Sequence, residues 1–224
     1  MLDRDRFGFP LDSRVCIERF VEYLLRPLQA EHQVKVYLVT FDSPAVQAWT
    51  EALNPEIVTL LDPKVGNQIT TFTRGLQDVY AHNPDLDCII AVRFDLLYLK
   101  PFNEWGVKLS RDQIVFPWRE YRHYWRDHKR VGDAIHIVGK NAVPAFFNAL
   151  QSMGLLRHHM HLLYYIVTLV YPNLSFIDDG FWDSNTVFNN PECFNPIYQL
   201  CNRPRLDIPP GNLNMVIPEI QGPD

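Results

Sequence analysis

The sequence predicts an α/β sandwich in which helices flank a largely parallel sheet, in one domain spanning residues 1–224. The first of two observations predicts it, and the second points to a site. Short runs rich in β-branched and aromatic residues alternate with segments whose apolar positions recur at helical spacing. Acidic residues also fall at or beside the ends of three such runs: Asp42 after "VYLVTF", Asp95 in "AVRFD", and Asp178 with Asp179 after "LSFI". Ligands of open parallel sheets bind where the loops at the carboxyl ends of the strands converge, so the clustering points to a site, although connecting loops are polar in any case.

The elements follow in order. Residues 1–10 are polar, end at Pro10 and read as a loop. From Leu11 the positions Val15, Ile17, Phe20, Val21, Leu24, Leu25 and Leu28 share a helical face, and Asp12 or Ser13 can cap that helix. "VKVYLVTF" (34–41) reads as a buried strand, "PAVQAWTEAL" as a helix, "EIVTLL" as a short strand and "NQITTFTRGLQDVYAHN" as a helix. "DCIIAVRFDLLYLKPF" (87–102) is an apolar strand interrupted by Arg93, Phe94 and Asp95. "QIVFPW" (113–118) and "AIHIVG" (134–139) are strands on either side of a charged aromatic segment. "KNAVPAFFNALQSMG" is a helix despite an interior Pro144, and "HMHLLYYIVTLVY" is helical by length against a β-prone composition. "LSFID" is a last strand, and from Asp179 the chain reads as irregular, with a tail over about residues 204–224.

Composition narrows the function classes. A hydrophobic fraction of 47% belongs to a packed globule, and a net charge of −5 argues against general binding to nucleic acid or anionic membranes. No apolar run reaches membrane-spanning length, so no integral membrane segment is expected. Cys16, Cys88, Cys193 and Cys201 form no CxxC pair, although Cys193 and Cys201 could bridge; the spacing favours a reducing, cytoplasmic setting.

Arg93 and Asp95 are the first residues to question. Opposite charges two apart in an apolar strand share one face, where an unpaired charge is costly. They either pair with each other and close the strand end or face a cleft.

The ordered motifs "IIAVRFDLLYLKPF", "VGDAIHIVGKNAVPAFF" and "IDDGFWDSNT" with "NPIYQL" resemble glycosyltransferases of the nucleotide-sugar-binding GT-A fold. They are most like the poorly characterised polysaccharide-biosynthesis and large-DNA-virus members. "CIERFVEYLLRPLQ" and "VKVYLVTF" are similar to the family's first helix and second strand, so the likeness spans roughly residues 11–203. The resemblance implies a nucleotide-sugar donor, a glycan or other hydroxyl acceptor, and an Asp-x-Asp motif whose second Asp binds Mn2+ or Mg2+ across the diphosphate. Such a cation neutralises the leaving group's developing charge, and hard carboxylate oxygens suit it. Asp95 matches that second Asp, with Arg93 in place of the first, where an arginine can pair with Asp95 or donate to a phosphate. A second departure is that the chain reaches its first helix without the strand that opens GT-A domains.

The remaining candidates take roles from the same resemblance. Asp133 would accept from sugar hydroxyls or serve as a catalytic carboxylate, and His136 would lie on the donor side, unless it is a structural strand histidine. In "FIDDGFWDSN", Asp179 is the first choice for the base that deprotonates the acceptor and Asp178 the second, with Asp183 nearby; Asp-Asp-Gly is also ordinary turn chemistry. "PWREYRHYWRDHKR" (117–130) interleaves basic and aromatic residues as a packed surface loop or a lid over phosphate, with nucleic acid the remotest reading. His158 and His161 could share a helical face, yet nothing follows them at zinc-like spacing. No GxGxxG, P-loop or GxSxG occurs. Two alternatives stand beside the transferase: a non-catalytic module of the same fold that binds a glycan or a partner, and a metal-dependent phosphoester hydrolase using Asp95, Asp178 and Asp179.

Overall fold

The structure is a computed structural model that describes residues 14–62, 64, 67–156, 159–185 and 190–201. The expected N-terminal loop, the caps Asp12 and Ser13, His158 and the tail lie outside the described residues.

The first helical stretch comprises α1 (Val15–Phe20), a π-helical segment (Val21–Leu25) and α2 (Arg26–Glu31). The π segment ends two residues before Pro27, which has no N–H to give and whose ring crowds the preceding turn. Then come β1 (Tyr37–Phe41), α3 (Ala45–Leu53) and β2 (Ile57–Leu61). Helix α3 ends because Asn54 takes a left-handed conformation, φ 44°, just before Pro55. Helix α4 (Gln68–His82) is capped by Asn67, whose side chain accepts from the Thr70 amide at 3.0 Å.

Strand β3 (Cys88–Val92) stops before Arg93, and β4 (Leu96–Tyr98) is a separate strand. Arg93, Phe94 and Asp95 thus form the bend between two strands; they do not lie on the face of a single strand, as the spacing had suggested. After β5 (Ile114–Phe116) the charged aromatic segment folds into β6 (Arg119–Glu120) and α5 (Arg122–His128). Next are β7 (Ile135–Gly139), α6 (Val143–Leu156), α7 (Leu163–Thr168) and β8 (Leu174–Phe176). Pro144 is the second residue of α6, where its missing N–H would have had no helical partner, and so it does not interrupt the helix. The segment after Asp179 holds β9 (Phe181–Trp182) and β10 (Tyr198–Leu200), so it is less irregular than its composition suggests.

The chain is mixed α/β with small sheets, and the central one is mixed in direction. The central sheet has the order β3-β7-β5-β8, with β7 antiparallel to β3 and β5, and β8 parallel to β5. Strands β1 and β2 form a parallel pair, β6 and β9 another, and β10 pairs antiparallel with β4. Alternation along β7 divides the core: Ile135 and Ile137 face a cluster with Leu24, Tyr98, Trp118 and Tyr198, whereas Val138 faces the opposite one with Phe116, Phe146, Leu150 and Leu163. A third cluster gathers Leu38, Trp49 and Leu53 beneath Phe94. No helix among the described residues is long and apolar enough to cross a membrane.

Candidate functional site

Topology brings most of the candidates to one end of the central sheet. Because β7 runs antiparallel to β3 and β5, its entry at Asp133 lies beside the carboxyl end of β3 at Arg93. The Arg93 amide donates to the Ala134 carbonyl at 3.1 Å, which fixes that proximity. The parallel strands β5 and β8 end on the same side, delivering Trp118, Arg119 and Glu120 from one and Asp178 and Asp179 from the other. The amide of Asp178 donates to the Pro117 carbonyl at 3.0 Å, tying the two strand exits together.

The charges there form a chain of alternating sign. Arg93 binds Asp95 in a two-point pair, Nε to Oδ1 at 2.9 Å and Nη2 to Oδ2 at 2.6 Å. Its Nη1 lies 3.6 Å from Asp133 Oδ1, and the other Asp133 oxygen lies 3.6 Å from His161 Nε2. His161 Nδ1 reaches Glu120 Oε1 at 2.5 Å, and Arg130 Nε donates to the second Glu120 oxygen at 2.6 Å. Asp95, Asp133 and Glu120 are each 8% exposed, so the network is largely withdrawn from water. Burial opposes each charge, and the neighbours outweigh it. Asp133 is held down to about 2 by His161 and Arg93, and His161 is raised to about 9 by Glu120 and Asp133. Arg93 is held charged by Asp95 and Asp133 despite its burial.

His136 belongs elsewhere. It is 0% exposed, ringed by Phe72, Phe116 and Phe146 at centroid distances of 5.2–5.6 Å, and neither ring nitrogen has a hydrogen-bond partner. Burial pushes it down to about 4, so it stays neutral. The donor-side role expected for it gives way to that of a core residue, because β7 turns its side chain to the face opposite Ile135 and Ile137.

The acidic turn is built for shape. Asp178 Oδ1 accepts from the Gly180 amide and from Trp182 Nε1, both at 2.9 Å, which fixes the turn and the indole. Asp179 is exposed and ion-paired with Arg119, whose guanidinium also lies 4.4 Å from the Phe176 ring centroid. Asp183 is half-buried, and burial with nearby Glu120 raises its carboxyl above the ordinary value. Beside this turn a cleft of about 480 Å³ is lined by Tyr121, Arg122, Gly180, Phe181, Trp182 and Cys193.

The Mn2+ or Mg2+ implied by the resemblance does not fit Asp95. Both of its oxygens bind Arg93, and among the described residues no group of three or more His, Cys, Asp or Glu side chains could hold a metal ion. His161 serves the charge chain through Glu120 and Asp133, partners far away in sequence. Glu120 and Arg130 are not singled out by the sequence, and His161 enters it only beside His158 as a possible helical pair. Their signal is faint: Glu120 lies within a segment of basic and aromatic residues, and only the fold sets it against Arg130 and His161. All four cysteines are outside disulfides, including Cys193 and Cys201.

Compared with models of known protein families and with curated proteins, the chain matches none.

Proposed function

We propose that the chain is a glycosyltransferase catalytic domain that moves a sugar from a nucleotide-sugar donor to a hydroxyl of a glycan or related acceptor. The observation that carries this reading is the aromatic-walled cleft beside Asp178, Asp179 and Asp183, at the end of the sheet where the Arg93–Asp133 network also lies. Sugars present C–H faces that pack on rings and hydroxyls that need acceptors; this cleft offers Tyr121, Phe181 and Trp182, and Asp179 and Asp183 are the chain neighbours of its lining residues Gly180 and Trp182. Arg122, exposed on the cleft wall, supplies positive charge for a diphosphate. Asp183 is the better-poised base, since its raised pKa moves it toward the working range of a proton acceptor; Asp179 is the solvent-facing alternative. Asp133, held ionised, is suited to accepting hydrogen bonds and not to exchanging protons.

The test is donor turnover without acceptor, measured on UDP- and GDP-sugars with and without manganese, alongside calorimetric titration with the nucleoside diphosphates. Turnover that drops at least tenfold in Asp183→Asn supports the assignment. Absence of both binding and turnover under either condition would sink it.

A second reading has its own observation. The charges around Arg93 pair off internally, as expected for a scaffold whose site binds without catalysing. A non-catalytic glycan-binding module predicts a glycan-array signal that depends on Trp182, with no donor hydrolysis. The two-metal hydrolase reading has no such support, because Asp95, Asp178 and Asp179 are engaged by different partners.

A further inference from the structure

Charge is placed unevenly along the chain. The net charge is −5, yet between residues 119 and 130 Arg119, Arg122, Arg126, Lys129 and Arg130 are set against only two acids, Glu120 and Asp127. Helix α5 carries the middle of this segment and buries none of its residues, so its charges stand in solvent beside the aromatic cleft that Tyr121 and Arg122 line. Screening limits the reach of exposed charges to about 8 Å at physiological salt, so a ligand lying on α5 meets this local excess and not the acidic remainder.

Their partners divide these cations. Arg119 is bound to Asp179 and Arg130 to the buried Glu120, and both guanidinium groups are partly buried. Arg122 and Lys129 are exposed and have no carboxylate within ion-pairing distance among the described residues. Each lies over a ring instead. Arg122 is 5.9 Å from the Phe181 centroid, and Lys129, at a left-handed φ of 52°, is 5.1 Å from that of Trp125. Arg126 pairs with Asp127, its chain neighbour, and this exposed pair is weakened by water and salt. Arg122, Arg126 and Lys129 are four and three residues apart, the spacing of one helical face. They form a row about 10 Å long that starts at the cleft wall.

We propose that the acceptor is an acidic glycan, a chain of uronic-acid sugars whose end lies in the cleft and whose carboxylates run along α5 on Arg122, Arg126 and Lys129. The proposal rests on the glycosyl-transfer reading and names the class of its acceptor. The cleft's rings suit the C–H face of any sugar, but a row of exposed cations is matched by a ligand that repeats negative charge along its length, which a neutral glycan does not. A guanidinium fork also fits a carboxylate through two parallel bonds. Arg122 stands where donor and acceptor meet, and its five N–H groups can serve a donor phosphate and the first carboxylate together. Nucleic acid is anionic and stacks on rings, yet it fits less well. Asp179 and Asp183, the chain neighbours of lining residues Gly180 and Trp182, accept from sugar hydroxyls but repel a phosphodiester.

Calorimetric titration of the full chain tests it, with tetrasaccharides of galacturonate, mannuronate and hyaluronan, each compared with neutral maltotetraose and with a thymidine tetranucleotide. At about 0.05 M NaCl at least one uronate should bind about tenfold or more tighter than maltotetraose, and this advantage should shrink at about 0.5 M NaCl. Arg126→Gln combined with Lys129→Gly should remove the advantage without lowering the Tm, since both side chains are exposed and glycine suits the left-handed turn. Asp127→Asn, which releases Arg126, should tighten uronate binding about threefold, a gain that damage to the fold cannot produce. Three outcomes overturn the proposal: no uronate advantage, an advantage that survives the double variant, or a tetranucleotide that binds as tightly as the best uronate. Donor turnover by the unmodified chain keeps the two readings apart. Turnover without a uronate advantage overturns the acidic acceptor alone, whereas a uronate advantage without turnover supports the acidic glycan and overturns transfer to it.

Discussion

Arg93 sits between two buried carboxylates, and its removal is the most informative single change. In Arg93→Ala, Asp95 and Asp133 lose their shared cation and remain 8% exposed, so each becomes a poorly compensated buried charge. We expect a loss of about 3–5 kcal/mol in chemical denaturation, the range for breaking a buried ion pair from one side. Arg93→Lys should recover little of it, because an ammonium cannot reproduce the two parallel bonds to Asp95. His136 behaves oppositely. Both its nitrogens are buried without partners, so His136→Leu, similar in volume, should leave stability unchanged or raise it by about 1–2 kcal/mol. A large loss in this variant would mean that the imidazole has a hydrogen-bonding role the aromatic cage does not reveal.

At the scale of elements, close backbone approach decides what each segment tolerates. Gly139 closes β7, where its amide donates to Gln113 at 2.8 Å, and an added Cβ would collide with the backbone of Ser110 and Arg111. Gly139→Ala should therefore cost about 3 kcal/mol as a thermal-melt shift, since a backbone wall cannot yield as a flexible side chain can. The periodicities of α3, α4 and α6 were legible because each helix carries its own repeat. The pairing of β4 with β10 was not, because Leu96–Tyr98 and Tyr198–Leu200 lie about a hundred residues apart and neither run is long enough to declare a partner. Glu120 and His161 were hidden for the same reason: their charges are compensated across the fold, not along the chain.

For the whole molecule, three ionisable groups, the buried Asp133 and His136 and the partly buried His161, set the dependence of stability on pH. His161 is raised from 6.5 to about 9, so its contribution is complete below 6.5 and is lost as pH rises through 9. His136 is lowered from 6.5 to about 4, so its contribution holds above 6.5 and is lost as pH falls toward 4. Asp133, lowered from 3.8 to about 2, adds a further loss below 3.8. The urea midpoint should therefore peak near pH 6.5 and decline on both sides. His161→Gln should flatten the alkaline limb, and His136→Leu the limb between 6.5 and 4, each by about 1–3 kcal/mol. An alkaline limb unchanged in His161→Gln would mean that the imidazole is not charged within the network.

The sequence by itself determined the alternation of strands and helices through most of the chain up to Phe176, apart from the segment that folds into β6 and α5, and it placed Arg93, Asp95, Asp133, Asp178 and Asp179 near strand ends. Those features rest on local periodicity and on where apolar runs stop, which a chain displays residue by residue. Only the tertiary structure decided that the central sheet is mixed in direction, that both Asp95 oxygens are taken by Arg93, and that His136 is core. It also set β1 and β3, which belong to separate sheets, along one cleft. The physical reason is common to all four. Strand direction, ion-pair partners and burial are relations between distant segments, settled when the backbone's hydrogen bonds and charges find their lowest joint arrangement.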